Sequence, residues 1–104
     1  MTIQYKIEFD QLEWTSPIKG VRHKYIDQDG LRLRLVEYTK EMPLHWCEKG
    51  HYGYVIQGEI EIECGNERRI FKTGDGVFLP DGADHRHRAK VLSEPVLIFF
   101  MEKV

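Results

Sequence analysis

The sequence predicts an all-β domain, a sandwich or barrel of about eight short strands. Three observations carry this expectation. Apolar and polar residues alternate in most segments, the period of a half-buried strand. Turn-forming clusters of Gly, Asp, Asn and Pro recur at roughly 8–12-residue intervals. No window keeps a 3.6-residue apolar spacing over three turns without Gly, Pro or β-branched interruption, so no helix is expected. A length of 104 residues suits one domain, 1–104, with no room for a second.

The elements follow in order. Ile3, Tyr5, Ile7 and Phe9 alternate with Gln4, Lys6 and Glu8, which predicts a first strand over 3–9. Residues 21–26 read as a second strand, closed by the turn cluster Asp27-Gln28-Asp29-Gly30. Leu31, Leu33 and Leu35 then alternate with Arg32 and Arg34, so the guanidinium groups are expected to face solvent or a subunit interface. Ile60, Ile62 and Cys64 alternate with Glu59, Glu61 and Glu63, giving one acidic face and one core face on which Cys64 is a small hydrophobe. Gly65-Asn66 turns the chain into a strand over 68–72. Gly74-Asp75-Gly76 precedes a short strand over 77–79, and Pro80-Asp81-Gly82 ends it. Residues 96–101 are apolar on both faces, as in a strand buried from both sides, either between two layers or at a subunit contact. Tyr38, Tyr54 and Phe78 are expected to fill the core rather than to shape a pocket.

Composition removes several classes of function. No apolar run approaches the ~20 residues of a membrane span, and the first residues lack a signal segment. Fifteen Lys and Arg against 17 Asp and Glu give a net charge of −2, so no basic field draws the chain to nucleic acid or anionic lipid. Two Cys make no disulfide framework, and the expected location is the cytoplasm. Five His stand out, four of them (His45, His51, His85, His87) in two short stretches.

On a strand, residues i and i+2 share a face. His45 and Cys47 can therefore point together into a barrel, and so can His85 and His87. Gly50 lets the chain turn and bring His51 back opposite the first pair. Imidazole and thiolate suit borderline and soft divalent metals. A lone His is more often a satisfied core residue than a ligand, but the joint spacing favours ligation. Paired Cys-x-x-Cys spacing, the mark of structural zinc modules, is missing. Trp46, between two candidate donors, is expected to point outward onto a neighbouring sheet or subunit.

The spacing resembles the cupin superfamily, in particular its small single-domain members. Thr39, five residues, His45-x-Cys47, three residues, His51, six residues and Gly58 follow the register of the first cupin motif, over residues 39–58. Gly74, five residues, Pro80-x-Gly82, two residues, His85, three residues and Ala89 follow the second, over residues 74–89. Thr39 and Ala89 depart at turn or variable positions. Cys47 stands at the second-His position and His51 at the Glu position; both remain competent donors. The resemblance implies a double-stranded β-helix (a jelly-roll barrel), usually a homodimer, with metal and a small-molecule ligand inside one mouth. Carried over residue by residue, it implies metal ligands His45, Cys47, His51 and His85. His87 then becomes a proton carrier, a substrate contact or simply part of a polar lining. One thiolate with three imidazoles favours Zn²⁺, with Fe²⁺, Ni²⁺, Mn²⁺ or Cu²⁺ as alternatives. Family activities of oxygenase, isomerase and lyase type point to a metal-dependent enzyme acting on a small organic molecule. A non-catalytic binding or sensing barrel is the alternative. Neither nucleic acid nor membrane is an expected partner.

Overall fold

The alternating segments find one another as an antiparallel jelly roll in the computed structural model, which describes residues 2–104 and leaves Met1 outside. The strands are β1 (Thr15–Ile18), β2 (Val21–Gln28), β3 (Leu31–Tyr38), β4 (His51–Cys64), β5 (Glu67–Lys72), β6 (Gly76–Leu79) and β7 (His87–Lys103). Their order is β1-β2-β3-β7-β4-β5, with β6 also paired to β4. β4 is the spine. One of its edges pairs with β6 through Tyr52↔Phe78 and, further along, with β5 through Ile60↔Phe71; the other edge runs along β7. Gly58 allows the bend between these halves: its φ is +87°, and a Cβ there would lie 2.5 Å from the Pro95 carbonyl oxygen. Among the described residues there is no α-helix, only 3₁₀ turns at Phe9–Gln11 and Ala83–His85. No helix is long and apolar enough to cross a membrane.

Inward-facing side chains of β3, β4, β6 and β7 make the core, with Val36, Val55, Ile60, Val96 and Ile98 fully buried. The final strand alternates rather than burying both faces equally. Val96, Ile98 and Phe100 point in, while Met101 is exposed and Phe99 meets the ring of Phe9 edge-on at 6.2 Å.

Several expectations are corrected. Residues 3–9 form no strand, because no neighbouring backbone supplies a ladder. Gln4 is held instead by the Gln28 side chain, at 3.0 and 2.8 Å, and Tyr5 is almost fully exposed. The first strand is β1, exposed along its whole length and therefore without an alternation to read. In β3 the phase is opposite to the one the leucines suggest. Leu31 lies out at the surface, whereas Val36 is buried and the Arg34 side chain is only 12% exposed. Tyr54 and Phe78 do not fill the core, since the inward positions of β6 belong to Val77 and Leu79; Phe78 is 76% exposed. Trp46 does point outward, where Arg86 and Arg88 lie over its ring at 4.6 and 4.7 Å.

Candidate metal centre

Three donors converge where β4 and β7 begin. Cys47 and His87 exchange both backbone hydrogen bonds, N–H to O at 2.8 and 2.9 Å, as a directly opposed antiparallel pair. Side chains of such a pair stand on the same face. His51 opens β4 after Gly50, whose backbone lies against the 79–81 turn so closely that a Cβ would sit 2.5 Å from Leu79 O and from Asp81 N. The result is a cluster of Cys47, His51 and His87 whose donor atoms all lie within 4.8 Å of one another.

The far side of each imidazole is already engaged. Nδ1 of His87 meets the His85 carbonyl oxygen at 3.2 Å, and Nδ1 of His51 meets the Glu102 carboxylate. Both partners only accept, so Nδ1 carries the proton in each ring and Nε2 is the free donor. Ring planes are held as well: His51 stacks on Phe100 at 4.7 Å, and His87 stands edge-on to His51 at 5.2 Å. This is how metal-ligating histidines are supported in proteins generally, and it is the observation by which these residues fit a metal.

The electrostatics agree. The neighbouring His51 imidazole holds the Cys47 thiol below its ordinary value, against the opposing effect of partial burial. Burial holds His87 below the usual histidine value, which favours the neutral ligand form. Burial pushes the Glu102 carboxyl up, but contacts with His51 and Arg34 outweigh it and leave the group ionised below the usual range. Arg34 reaches Glu102 Oε2 at 2.6 Å and His23 Nδ1 at 3.1 Å. Burial also raises the Tyr38 phenol to about 12, so it stays neutral.

This trio differs from the quartet implied by the motif spacing. Cys47 and His51 are in it; His45 and His85 are not brought to it, and His87 is. His45 lies exposed in the irregular segment before the Cys47 bridge, its Nδ1 3.0 Å from the Pro43 carbonyl oxygen. His85 ends an exposed 3₁₀ turn, and β7 begins only at His87. The i, i+2 rule presumes an extended backbone, and neither pair lies wholly on a strand. Sequence reading missed Glu102 and Arg34. Glu102 has the parity of Val96, Ile98 and Phe100 and could have been read as inward-facing. Arg34 was masked by the competing Leu alternation.

A depression of about 200 Å³ is walled by Ile62, Cys64, Phe71, Phe78 and Leu79, with Glu67 and Arg69 at its rim. Cys64 is the cross-strand partner of His87, and Leu79 that of His51. Neither this depression nor the larger cavity beside Lys40, Met42 and Leu92 is lined by any of the three donors.

The profile of the cupin domain family (Cupin_2) matches residues 31–101, and the chain belongs to that family. Similar solved structures agree on the fold. KdgF from a Halomonas species is 23% identical, with 99% of this chain and 96% of that one covered at a TM-score of 0.75. An RmlC-like cupin from Shewanella frigidimarina is 15% identical over 97% and 91% of the two chains, also at 0.75. Hydroxypropylphosphonic acid epoxidase from S. wedmorenis is 13% identical at 0.75, with 98% of this chain but 59% of that one covered. No curated protein sequence matches the chain.

Proposed function

We propose that this cupin is a metal-dependent enzyme acting on a small organic molecule, with Cys47, His51 and His87 as ligands of a divalent transition metal. The observation that carries the reading is the three-donor cluster within 4.8 Å, with both imidazole Nδ1 atoms already committed elsewhere. One thiolate and two neutral imidazoles leave a divalent ion with net positive charge and favour Zn²⁺, with Fe²⁺, Ni²⁺, Mn²⁺ and Cu²⁺ as alternatives. HppE, a protein of the same fold, is known in an Fe(II) form. Three protein ligands rather than four suit a catalytic site, where one position stays open to water or substrate. When bound, the metal would supply Lewis-acid polarisation of a substrate oxygen or an activated water.

The chain's own residues do the rest. Ile62, Phe71 and Leu79 give an apolar wall that excludes water from one side of the substrate, and Arg69 at the rim offers a charge to an anionic group. Exposed Phe78, Ile70 and Tyr54 on the outer surface support a homodimer, and a cytoplasmic setting would keep the thiol ligand reduced.

One observation favours a second reading, a non-catalytic binding or sensing barrel. The carboxylate nearest the donors, Glu102, is committed to His51 and Arg34 and is not free to act as a general base.

Elemental analysis of untagged protein tests the metal. About one equivalent is expected, lost in His51→Ala and His87→Ala and kept in His45→Ala and His85→Ala. Less than about one-tenth of an equivalent, unrestored by reconstitution, overturns the reading. Loss in the His45 and His85 variants instead would return the ligand set to the motif quartet. X-ray absorption then separates enzyme from binder, since a closed shell of protein ligands favours the binder.

A further inference from the structure

We infer that Glu102, clamped by Arg34, is a positioning residue for the metal centre. It holds His51 as the Nδ1–H tautomer and aims Nε2 at the space shared with Cys47 Sγ and His87. The inference rests on the proposed ligand set and deepens it.

Glu102 lies near the end of β7, 51 residues from His51, and is 2% exposed. A carboxylate buried this far is costly unless it is paired and hydrogen-bonded. One answer is that Glu102 merely neutralises Arg34. Two other arginine–carboxylate pairs of the chain show what that would look like, although the more exposed Arg88 reaches Glu63 through Nε alone, at 2.8 Å. Arg22 grips Glu37 through Nε at 2.8 Å and a terminal nitrogen at 3.1 Å. Arg32 grips Asp27 in the same way, at 2.7 and 2.9 Å. Both are two-pronged forks, the favoured geometry for this pair of groups.

Arg34 does not make that fork. It reaches Glu102 through one terminal nitrogen, and its Nε is buried without a hydrogen-bond partner. The oxygen it touches, Oε2, is the one that accepts from His51 Nδ1. An orphaned buried N–H is unfavourable, so the carboxylate is oriented for the histidine at the expense of the arginine. Arg34 keeps the carboxylate ionised and in place. The carboxylate sets the imidazole, and Phe100 stacked on the same ring fixes its plane. Carboxylate–histidine–metal relays of this kind raise ligand basicity and select one tautomer.

Two measurements test the assignment. The first needs no variant and no metal: long-range ¹H–¹⁵N NMR of the histidine-labelled, metal-free protein reads the His51 tautomer, assigned with His51→Ala. The Nδ1–H form is expected, and the Nε2–H form overturns the inference.

The second is Zn²⁺ affinity by chelator competition in Glu102→Gln and in the double variant Arg34→Met with Glu102→Leu. Replacing a buried ion pair by apolar residues of similar size is often neutral for folding, so the double variant separates structure from positioning. A loss of about 10–100-fold in Zn²⁺ affinity is expected in both, with folding retained by circular dichroism. A folded double variant that binds Zn²⁺ as the parent does overturns the inference. If that variant fails to fold, Glu102→Gln and the parent tautomer decide. If the parent binds no Zn²⁺, the ligand set fails, whereas an Nδ1–H His51 lost in the variants still supports the relay.

Discussion

Gly50 links the fold to the candidate metal centre, and Gly50→Ala tests that link. The glycine stands between two donors, with its N–H on Asp81 Oδ1 at 2.6 Å. An added Cβ would meet Leu79 O and Asp81 N at 2.5 Å and Pro80 C at 2.7 Å, all backbone atoms. Ordinary carbon contacts lie at about 3.5–4.0 Å, so one backbone must move by about 1 Å. Overpacking of this kind costs about 1–3 kcal/mol, and backbone on both sides puts Gly50→Ala near the top of that range. For a chain of this size, a loss of about 2–3 kcal/mol lowers Tm by about 10–20 °C. The same movement displaces His51 and its cross-strand partner Leu79, so metal affinity should fall about tenfold or more.

Gly65→Ala is the control. Its Cβ meets nothing within 4 Å, but φ is +62°, so a cost of about 1–2 kcal/mol is expected with no effect on metal. Urea unfolding of the metal-free proteins and chelator competition measure the two quantities. The reasoning is refuted if Gly50→Ala is as stable as the parent, or if it is destabilised while metal affinity stays unchanged.

Acid should weaken the metal-free protein before any carboxylate is protonated. His23 and His87 are held below their ordinary 6.5, chiefly by burial, so the folded state binds fewer protons than the unfolded one. Their contribution is complete above 6.5 and is lost as pH falls through the lowered folded values; Glu102, below its ordinary 4.5, adds a further loss at more acid pH. Urea midpoints flat between pH 8 and 5 would contradict this. Iodoacetamide labelling of Cys47 in the metal-free protein should show a pH midpoint below the ordinary 9.0, read by peptide mass spectrometry; a midpoint at or above that value speaks against the influence of the His51 imidazole on the thiol. Ile98→Ala, at a position 1% exposed, should cost about 2–5 kcal/mol in urea unfolding, and a loss under about 1 kcal/mol would place Ile98 outside the core.

Much of the barrel was legible in the chain because its signals are local. The alternation of Ile60, Ile62 and Cys64 with glutamates lies on β4, and the turns at Gly30, Gly65 and Gly74 all take positive φ. That Cys47 and His51 could come together was legible because the residues between them include the glycine that lets the chain double back. Two strand readings failed for a common reason: alternation tells which residues share a face, but not which face is turned inward or whether a partner exists. Residues 3–9 alternate without a neighbour. β3 alternates with Arg34 inward, where Glu102 receives it.

The sequence by itself determined the strand-and-turn pattern, the cupin motif register and the supply of soft donors in two short stretches. Only the tertiary structure decided which donors meet. His87 joins the cluster and His45 and His85 stay out because strand β7 starts two residues too late for His85, while Cys47 is tied to His87 by backbone pairing. Tertiary packing also supplied the relay behind His51. Its members, 34, 51 and 102, are too far apart along the chain for any local pattern to announce, and they come together only when β3 and β4 pair with the two edges of β7.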